Sequence, residues 1–155
     1  MNKELEYQKI INYIKDDISQ NKKLKYLTLL CEIPNLFKES FPYMNWIGFY
    51  LADKNDNHLY LGPYVGSEAC EIIPFTNGVC GKAYTEKMTQ IVNDVHSLTY
   101  HIACSSSTNS EIVVPIIVGD ECLAVFDIDS DDFSAFDDTD KKYIEEICLL
   151  LSQLY

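Results

Sequence analysis

The chain has 155 residues, of which 24 are acidic and 12 basic, so its formal net charge at pH 7 is −12. This negative charge opposes binding to nucleic-acid phosphates and to anionic membrane surfaces. The length fits a single domain, residues 1–155, that can bury a core without disulfides or a structural metal. No apolar segment has the length of a signal peptide or of a membrane span. We therefore expect a cytoplasmic protein whose six cysteines are mostly thiols.

The N-terminal third of the chain predicts two helices. Residues 3–20 carry apolar side chains at helical spacing. A second helix should begin near Asn21 and end or kink at Pro34, because proline has no backbone N–H donor. The apolar and aromatic segments 46–51 and 58–63 then flank a polar turn, which predicts a β-hairpin.

The rest of the chain predicts mostly strands, with one long aperiodic loop. Further strands are predicted at 71–74, 91–92, 111–118 and 122–128, and helices at 82–87 and 137–154. The loop covers residues 93–109, and loops of this length in compact domains are usually functional. Together these elements predict an α+β fold, in which N- and C-terminal helices pack on an antiparallel sheet of about six strands.

Three cysteines, Cys70, Cys80 and Cys104, lie among polar and turn-forming residues in the middle of the chain. The reactive form of cysteine is the thiolate, which nearby donors or positive charges stabilise, and His101 lies three residues before Cys104. This pattern favours redox chemistry over buried structural thiols. The remaining cysteines fall on predicted apolar faces and fit the structural role: Cys31, Cys122 and Cys148.

Metal binding is a weaker interpretation of the same region. His96, His101 and Cys104 are possible zinc ligands, but their spacing is poor and the chain has no C-x-x-C pair. The acidic run 127–132 does not match a calcium loop, because the required glycine and glutamate are absent. We therefore predict no metal and no bound cofactor.

Polar residues at strand ends are candidates for ligand binding. Asp127 and Asp129 end an apolar strand and lie on the same side of it by period two. Two carboxylates that share a cavity could bind an ammonium group. Glu111 opens the preceding strand and either faces water or joins this cavity, and Trp46, the single tryptophan, is either core or a wall for a ligand.

Seven short segments of the chain resemble free methionine-(R)-sulfoxide reductases, a family of GAF-domain enzymes. The order of these segments and the cysteine spacings carry the resemblance. The segments are NWIGFYL (45–51), LGP (61–63), GVCG (78–81), DVH (94–96), HIAC (101–104), SEIVVP (110–115) and DIDS (127–130). The chain differs from the family around the HIAC segment, where Thr99, Tyr100 and Ser105 replace a proline-glycine turn and an aspartate.

The resemblance implies a GAF fold, a homodimer and thiol-dependent reduction of free methionine sulfoxide. The electrons would come from NADPH through thioredoxin reductase and thioredoxin. By motif, Cys104 is the nucleophile, Cys70 the resolving thiol and Cys80 an alternative partner. The residues matched to the family's substrate pocket are Trp46, Glu111, Asp127 and Asp129.

The chemistry of a sulfoxide agrees with these roles. Its sulfur becomes electrophilic when the oxygen is protonated, so a buried neutral acid, Glu111 or one of the aspartates, would assist attack by Cys104. A second thiol would then convert the resulting sulfenic acid into a disulfide. The alternative is a non-catalytic GAF module that binds a small ligand or senses redox state, and a purely structural role has no positive sign in the sequence.

Overall fold

The computed structural model of the protein describes residues 1–20, 25–99 and 107–155. Within them the chain forms four helices, one short 3-10 turn and six strands. The helices are α1 (Lys3–Ser19), α2 (Lys25–Ser40), α3 (Gly78–Glu86) and α4 (Asp138–Ser152), and the 3-10 turn is Val95–Ser97. The strands are β1 (Trp46–Asp53), β2 (His58–Val65), β3 (Ile72–Pro74), β4 (Gln90–Val92), β5 (Ser110–Val118) and β6 (Glu121–Ser130).

The six strands form one sheet in the order β3-β2-β1-β6-β5-β4, and all neighbouring pairs are antiparallel. Two hairpins, β1–β2 and β5–β6, meet through the pairing of β1 with β6. The α+β prediction, with about six antiparallel strands and helices from both ends of the chain, is confirmed. None of the helices found in the described ranges has the length and apolar content needed to cross a membrane.

The sheet has an apolar core on each face, because its central strands carry apolar side chains on both sides. On one face, α1, α2 and α4 pack against residues such as Phe49 and Phe126, whose rings stack at 4.3 Å. On the other face, α3 and β3 cover a smaller core that includes Tyr50 and Val113. The polar side chains that the sequence singled out lie on this second face.

Two helix boundaries differ from the sequence prediction. Helix α2 continues through Pro34 to Ser40. Its buried apolar stripe, which includes Ile33 and Phe37, holds the helix together although one backbone hydrogen bond is missing. Helix α3 begins at Gly78 rather than near Lys82, so the GVCG segment forms its first turn.

Candidate active site

The centre of the smaller core holds a row of polar residues that the strand register creates. Glu111 on β5 pairs with Asp129 on β6, and Asp129 in turn pairs with Trp46 on β1. Asp127 lies two residues before Asp129 and therefore faces the same side of the sheet. The predicted alternation of Asp127 and Asp129 thus agrees with the register, and Glu111, with 5% of its surface exposed, does not face water.

Trp46 forms one aromatic wall beside this row. Its ring stacks on Tyr50 and on Tyr64, with centroid distances of 5.8 and 5.3 Å. Gly66 makes room for the ring, because a Cβ atom there would lie 2.6 Å from Trp46 Cδ1, and its φ of +144° also favours glycine. The indole Nε1 is buried and has no hydrogen-bond partner within the described residues, so it can donate to a ligand.

Helix α3 places Cys80 over the carboxyl groups. The helix approaches β3 closely at Gly81, where a Cβ atom would lie 2.6 Å from the Phe75 carbonyl oxygen. Cys80 is buried, and its sulfur lies with carboxylate oxygens of Glu111 and Asp127 in a set whose atoms are all within 4.8 Å of one another. We call Cys80, Glu111, Asp127 and Asp129 the carboxyl–thiol cluster.

Burial and mutual repulsion hold protons in the carboxyl–thiol cluster. Burial, and then the neighbouring Asp127 and Asp129 carboxylates, raise the pKa of Glu111 well above its ordinary value. Burial and Asp127 likewise raise the pKa of Asp129. The pKa of Asp127 rises only to about 6, because burial is partly offset by hydrogen bonds from Cys80 and Glu111.

The cluster therefore contains both forms of the carboxyl group near neutral pH. Asp127 is the carboxylate that accepts hydrogen bonds, and Glu111 is the protonated donor. Burial and the neighbouring carboxylates raise the pKa of the Cys80 thiol well above its ordinary value, so Cys80 is a protonated donor to Asp127. A thiol of this kind is a poor nucleophile.

Cys70 lies at the edge of the site, in the segment between β2 and β3. The Tyr50 hydroxyl donates a hydrogen bond of 3.0 Å to the Cys70 carbonyl oxygen and so ties this segment to β1. Cys70 is half-buried and disulfide-bonded. Cys104, His101, Tyr100 and Ser105 lie outside the described residues, so the predicted position of the nucleophile stays a prediction.

Two residues of the site were not found by sequence analysis. Thr108 is buried and donates its hydroxyl hydrogen bond to Asp129. Asn109 contacts His96, with 2.8 Å between Asn109 Oδ1 and His96 Nε2, and donates to the Asp131 carbonyl oxygen. These contacts attach the end of the 93–109 loop to β6. The only sequence feature that pointed to Thr108 and Asn109 is their position in that aperiodic loop.

The remaining cysteines agree only partly with the sequence prediction. Cys122 and Cys148 are buried, as expected for structural thiols. Cys31 is exposed, so its prediction as a buried thiol is wrong. It falls on the outer side of α2, whose buried stripe runs through Leu30 and Ile33 instead.

Comparison with known proteins supports the fold. The sequence profile of the GAF domain matches residues 35–154. The chain is 47% identical over 112 residues to the free methionine-R-sulfoxide reductase of Saccharomyces cerevisiae, an alignment that spans 71% of this chain and 62% of the yeast protein. It is 39% identical over 129 residues to the Escherichia coli enzyme of the same name, spanning 83% of this chain and 77% of that protein.

A solved structure also supports this fold. The free methionine-R-sulfoxide reductase of Neisseria meningitidis in complex with its substrate superposes with a TM-score of 0.91 at 36% identity, covering 99% of this chain and 90% of that one. The antiparallel sheet, its helices and the profile match define a GAF domain. Within that class, the chain belongs to the free methionine-R-sulfoxide reductase family.

Proposed function

We propose that this protein reduces free L-methionine-(R)-sulfoxide to methionine, with the carboxyl–thiol cluster as the floor of its substrate site. The observation that carries the proposal is a group of three carboxyls beside an aromatic wall, of which Glu111 and Asp127 are buried and Asp129 is half-buried. Within the described part of the chain, Asp127 and Asp129 make no ion pair. A free amino acid brings an ammonium group that such carboxyls can bind, whereas a methionine within a peptide lacks it.

Each member of the site then has a distinct role. Asp127, the carboxylate, and Asp129 bind the ammonium group, and Trp46 packs against the side chain of the substrate. Glu111 protonates the sulfoxide oxygen, because its raised pKa keeps a proton available at neutral pH. The high pKa of Cys80 suits a donor that fixes Asp127 better than it suits an attacking thiolate.

The reaction divides into three balanced steps. The Cys104 thiolate attacks the substrate sulfur while Glu111 gives its proton to the sulfoxide oxygen. The resulting hydroxyl then passes from the substrate sulfur to the Cys104 sulfur as the bond between the two sulfurs breaks, which leaves methionine, a Cys104 sulfenic acid and the Glu111 carboxylate. The Cys70 thiol displaces the sulfenic hydroxyl as water and forms a Cys70–Cys104 disulfide, with Cys80 as the alternative partner. Thioredoxin then reduces this disulfide by thiol–disulfide exchange and becomes oxidised itself.

We further propose that the enzyme works as a cytoplasmic homodimer with NADPH and thioredoxin reductase as its electron source. The proposed reaction ends with a disulfide, so each turnover requires an external dithiol as reductant. A reducing compartment supplies one. The oligomeric state is measured by light scattering during gel filtration.

The test is a coupled assay of NADPH consumption with thioredoxin and its reductase. We expect turnover of free L-methionine-(R)-sulfoxide, no turnover of the (S) epimer, and loss of activity in Cys104→Ser. An assay with a chemical dithiol in place of thioredoxin separates failure of the reaction from failure of recycling. Absence of turnover in both assays would reject the reductase and leave a non-catalytic GAF module that binds a small ligand.

A further inference from the structure

The carboxyl–thiol cluster has a ligand set that also suits a metal ion. The Cys80 sulfur and one carboxylate oxygen each from Glu111 and Asp127 lie within 4.8 Å of one another, and all three residues are buried. A tetrahedral ion with bonds of about 2.3 Å to sulfur and 2.0–2.2 Å to oxygen needs ligand atoms about 3.5 Å apart. The three side chains therefore need to close by at most about 1.3 Å.

An independent observation points to a missing ligand. Asp127 has 6% of its surface exposed, yet its Oδ1 atom has no hydrogen-bond partner within the described residues. The other hydrogen bonds of this side chain come from Cys80 and Glu111, the same two residues that complete the set. A buried carboxylate oxygen without a donor costs free energy, which a bound cation recovers.

We propose that Cys80, Glu111 and Asp127 bind a divalent transition-metal ion of the zinc type, and that an ion held there excludes the substrate's ammonium group. One soft thiolate with two carboxylate oxygens matches zinc better than magnesium or calcium, which take oxygen ligands only. Three protein ligands leave a fourth position for water. The exclusion of substrate rests on the proposed function, whereas metal binding does not.

Metal binding conserves the charge of the cluster. The S–H bond of Cys80 and the O–H bond of Glu111 break, both protons pass to solvent, and the dication takes their place. Asp127 binds as the carboxylate it already is. The affinity for the metal should therefore rise with pH, since protons and metal compete for the same atoms.

Cobalt(II) is the probe, because a thiolate–cobalt bond gives a charge-transfer band in the near ultraviolet and tetrahedral cobalt gives visible bands. The titration uses the reduced full-length Cys70→Ser/Cys104→Ser variant, in which neither of the proposed redox thiols can bind the metal. We expect saturation at one cobalt per chain and displacement by zinc. A protein without the charge-transfer band overturns the proposal.

Matched substitutions in that background locate the site. Cys80→Ser should remove the charge-transfer band, and Asp127→Asn should weaken cobalt binding by at least about tenfold, the size seen even for residues that only support ligands. Cys122→Ser removes a buried thiol outside the cluster and should leave the spectrum unchanged. A band that survives Cys80→Ser assigns the metal elsewhere and overturns the site, while circular dichroism verifies that each variant is folded.

Competition tests the second half of the proposal. Free methionine sulfoxide should displace cobalt from the same variant, and a spectrum that does not respond overturns the exclusion. Activity of the metal-free native protein is measured separately. A protein that binds cobalt through Cys80 but reduces no sulfoxide would reject the proposed function and support the metal site.

Discussion

Glu111 and Asp129 lie directly opposite each other on β5 and β6, on the face of the sheet that carries Trp46 and Cys80. Burial raises the pKa of both carboxyls, and repulsion from the neighbouring Asp127 carboxylate raises both further. The sheet register therefore keeps at least one proton in the site at neutral pH. A general acid requires this condition, and it comes from strand pairing rather than from a neighbouring base.

Replacing Glu111 by glutamine tests its role as the acid. Glutamine keeps the size and one donor group but has no proton to transfer, so kcat should fall by about a hundredfold or more, the usual contribution of a general acid. The Michaelis constant should change little. Steady-state kinetics with a saturating chemical dithiol measure this.

Glu121→Gln is the matched control, since this glutamate is exposed at the start of β6 and pairs with Lys54. It should retain native kcat. Similar rates for both variants would remove Glu111 from the proton-transfer step.

Substrate affinity should depend on pH through Asp127. Its pKa of about 6 means that the carboxylate is ionised above this pH and neutral below it. A neutral carboxyl binds an ammonium group weakly, so the Michaelis constant should rise as pH falls through about 6. Asp127→Asn should show weak affinity at all pH values and lose this transition; a variant that keeps the transition would assign it to another group.

The same raised pKa predicts an effect on stability. The folded state binds the Asp127 proton more tightly than the unfolded chain, whose value is near 3.8. Between about pH 4 and 6 the native state therefore holds more protons, and this group's contribution to stability falls as pH rises. The difference of about two pKa units between the folded and unfolded states corresponds to about 3 kcal/mol in the free energy of unfolding.

Urea unfolding of the native protein and of Asp127→Asn at pH 4 and pH 7.5 measures this contribution. The free energy of unfolding of the variant, relative to the native protein, should increase by about 1–3 kcal/mol between the two pH values. A difference that does not change with pH would show that Asp127 titrates normally.

Tyr50 should affect formation of the Cys70–Cys104 disulfide rather than substrate binding. Its hydroxyl holds the Cys70 carbonyl oxygen, and Tyr50→Phe removes this hydrogen bond while the stacking on Trp46 remains. Loss of this hydrogen bond should raise the free-energy barrier to disulfide formation by about 1 kcal/mol, which corresponds to about fivefold slower formation. Rapid-quench measurement of methionine release followed by disulfide formation should show a normal first step and a slower second one.

Tyr13→Phe is the control for this substitution. Its exposed hydroxyl donates to Glu32, on α2, and the residue lies on α1. It should leave both steps unchanged. An equal slowing of methionine release in Tyr50→Phe would show that Tyr50 shapes the substrate site itself.

The sequence predicted the parts of the fold that depend on local pattern. Period-two alternation located Asp127 and Asp129 on one face, and helical spacing located α1 and α4. Local capping supports the start of α4, where Asp137 is the N-cap and accepts hydrogen bonds from the Thr139 and Asp140 backbone N–H groups. These features depend on residues a few positions apart.

The features that the sequence did not predict depend on contacts between distant segments. Pro34 does not end α2, because tertiary packing of the buried stripe outweighs one missing hydrogen bond. The burial of Glu111 and Cys80 follows from the packing of α3 on β5 and β6, which no local pattern encodes. Thr108, which lies just before β5, likewise donates to Asp129 on the neighbouring strand β6, so only the three-dimensional structure identifies it.

Asp140 connects both ends of the chain on the opposite side of the sheet from the site. Its carboxylate is fully buried and accepts hydrogen bonds from Lys3 Nζ at 2.6 Å and from the Tyr7 hydroxyl at 2.8 Å. Asp140→Asn removes the buried negative charge and leaves the partly exposed Lys3 ammonium with Asp137, at 3.1 Å, as its remaining anionic partner. Breaking a fully buried ion pair costs about 3–5 kcal/mol, and because Lys3 is partly exposed and keeps Asp137, this loss should be about 1–3 kcal/mol.

Urea unfolding at pH 7.5 measures that loss, with Asp138→Asn as the control on the exposed side of the same helix turn. The control should change the free energy of unfolding by no more than about 0.5 kcal/mol. Both variants should keep native kcat when folded, because α4 packs on the face of the sheet that does not carry the carboxyl–thiol cluster. Equal destabilisation by the two substitutions would contradict a specific role for the Lys3–Asp140 pair, and a loss of kcat in Asp140→Asn alone would show that the two faces of the sheet are coupled.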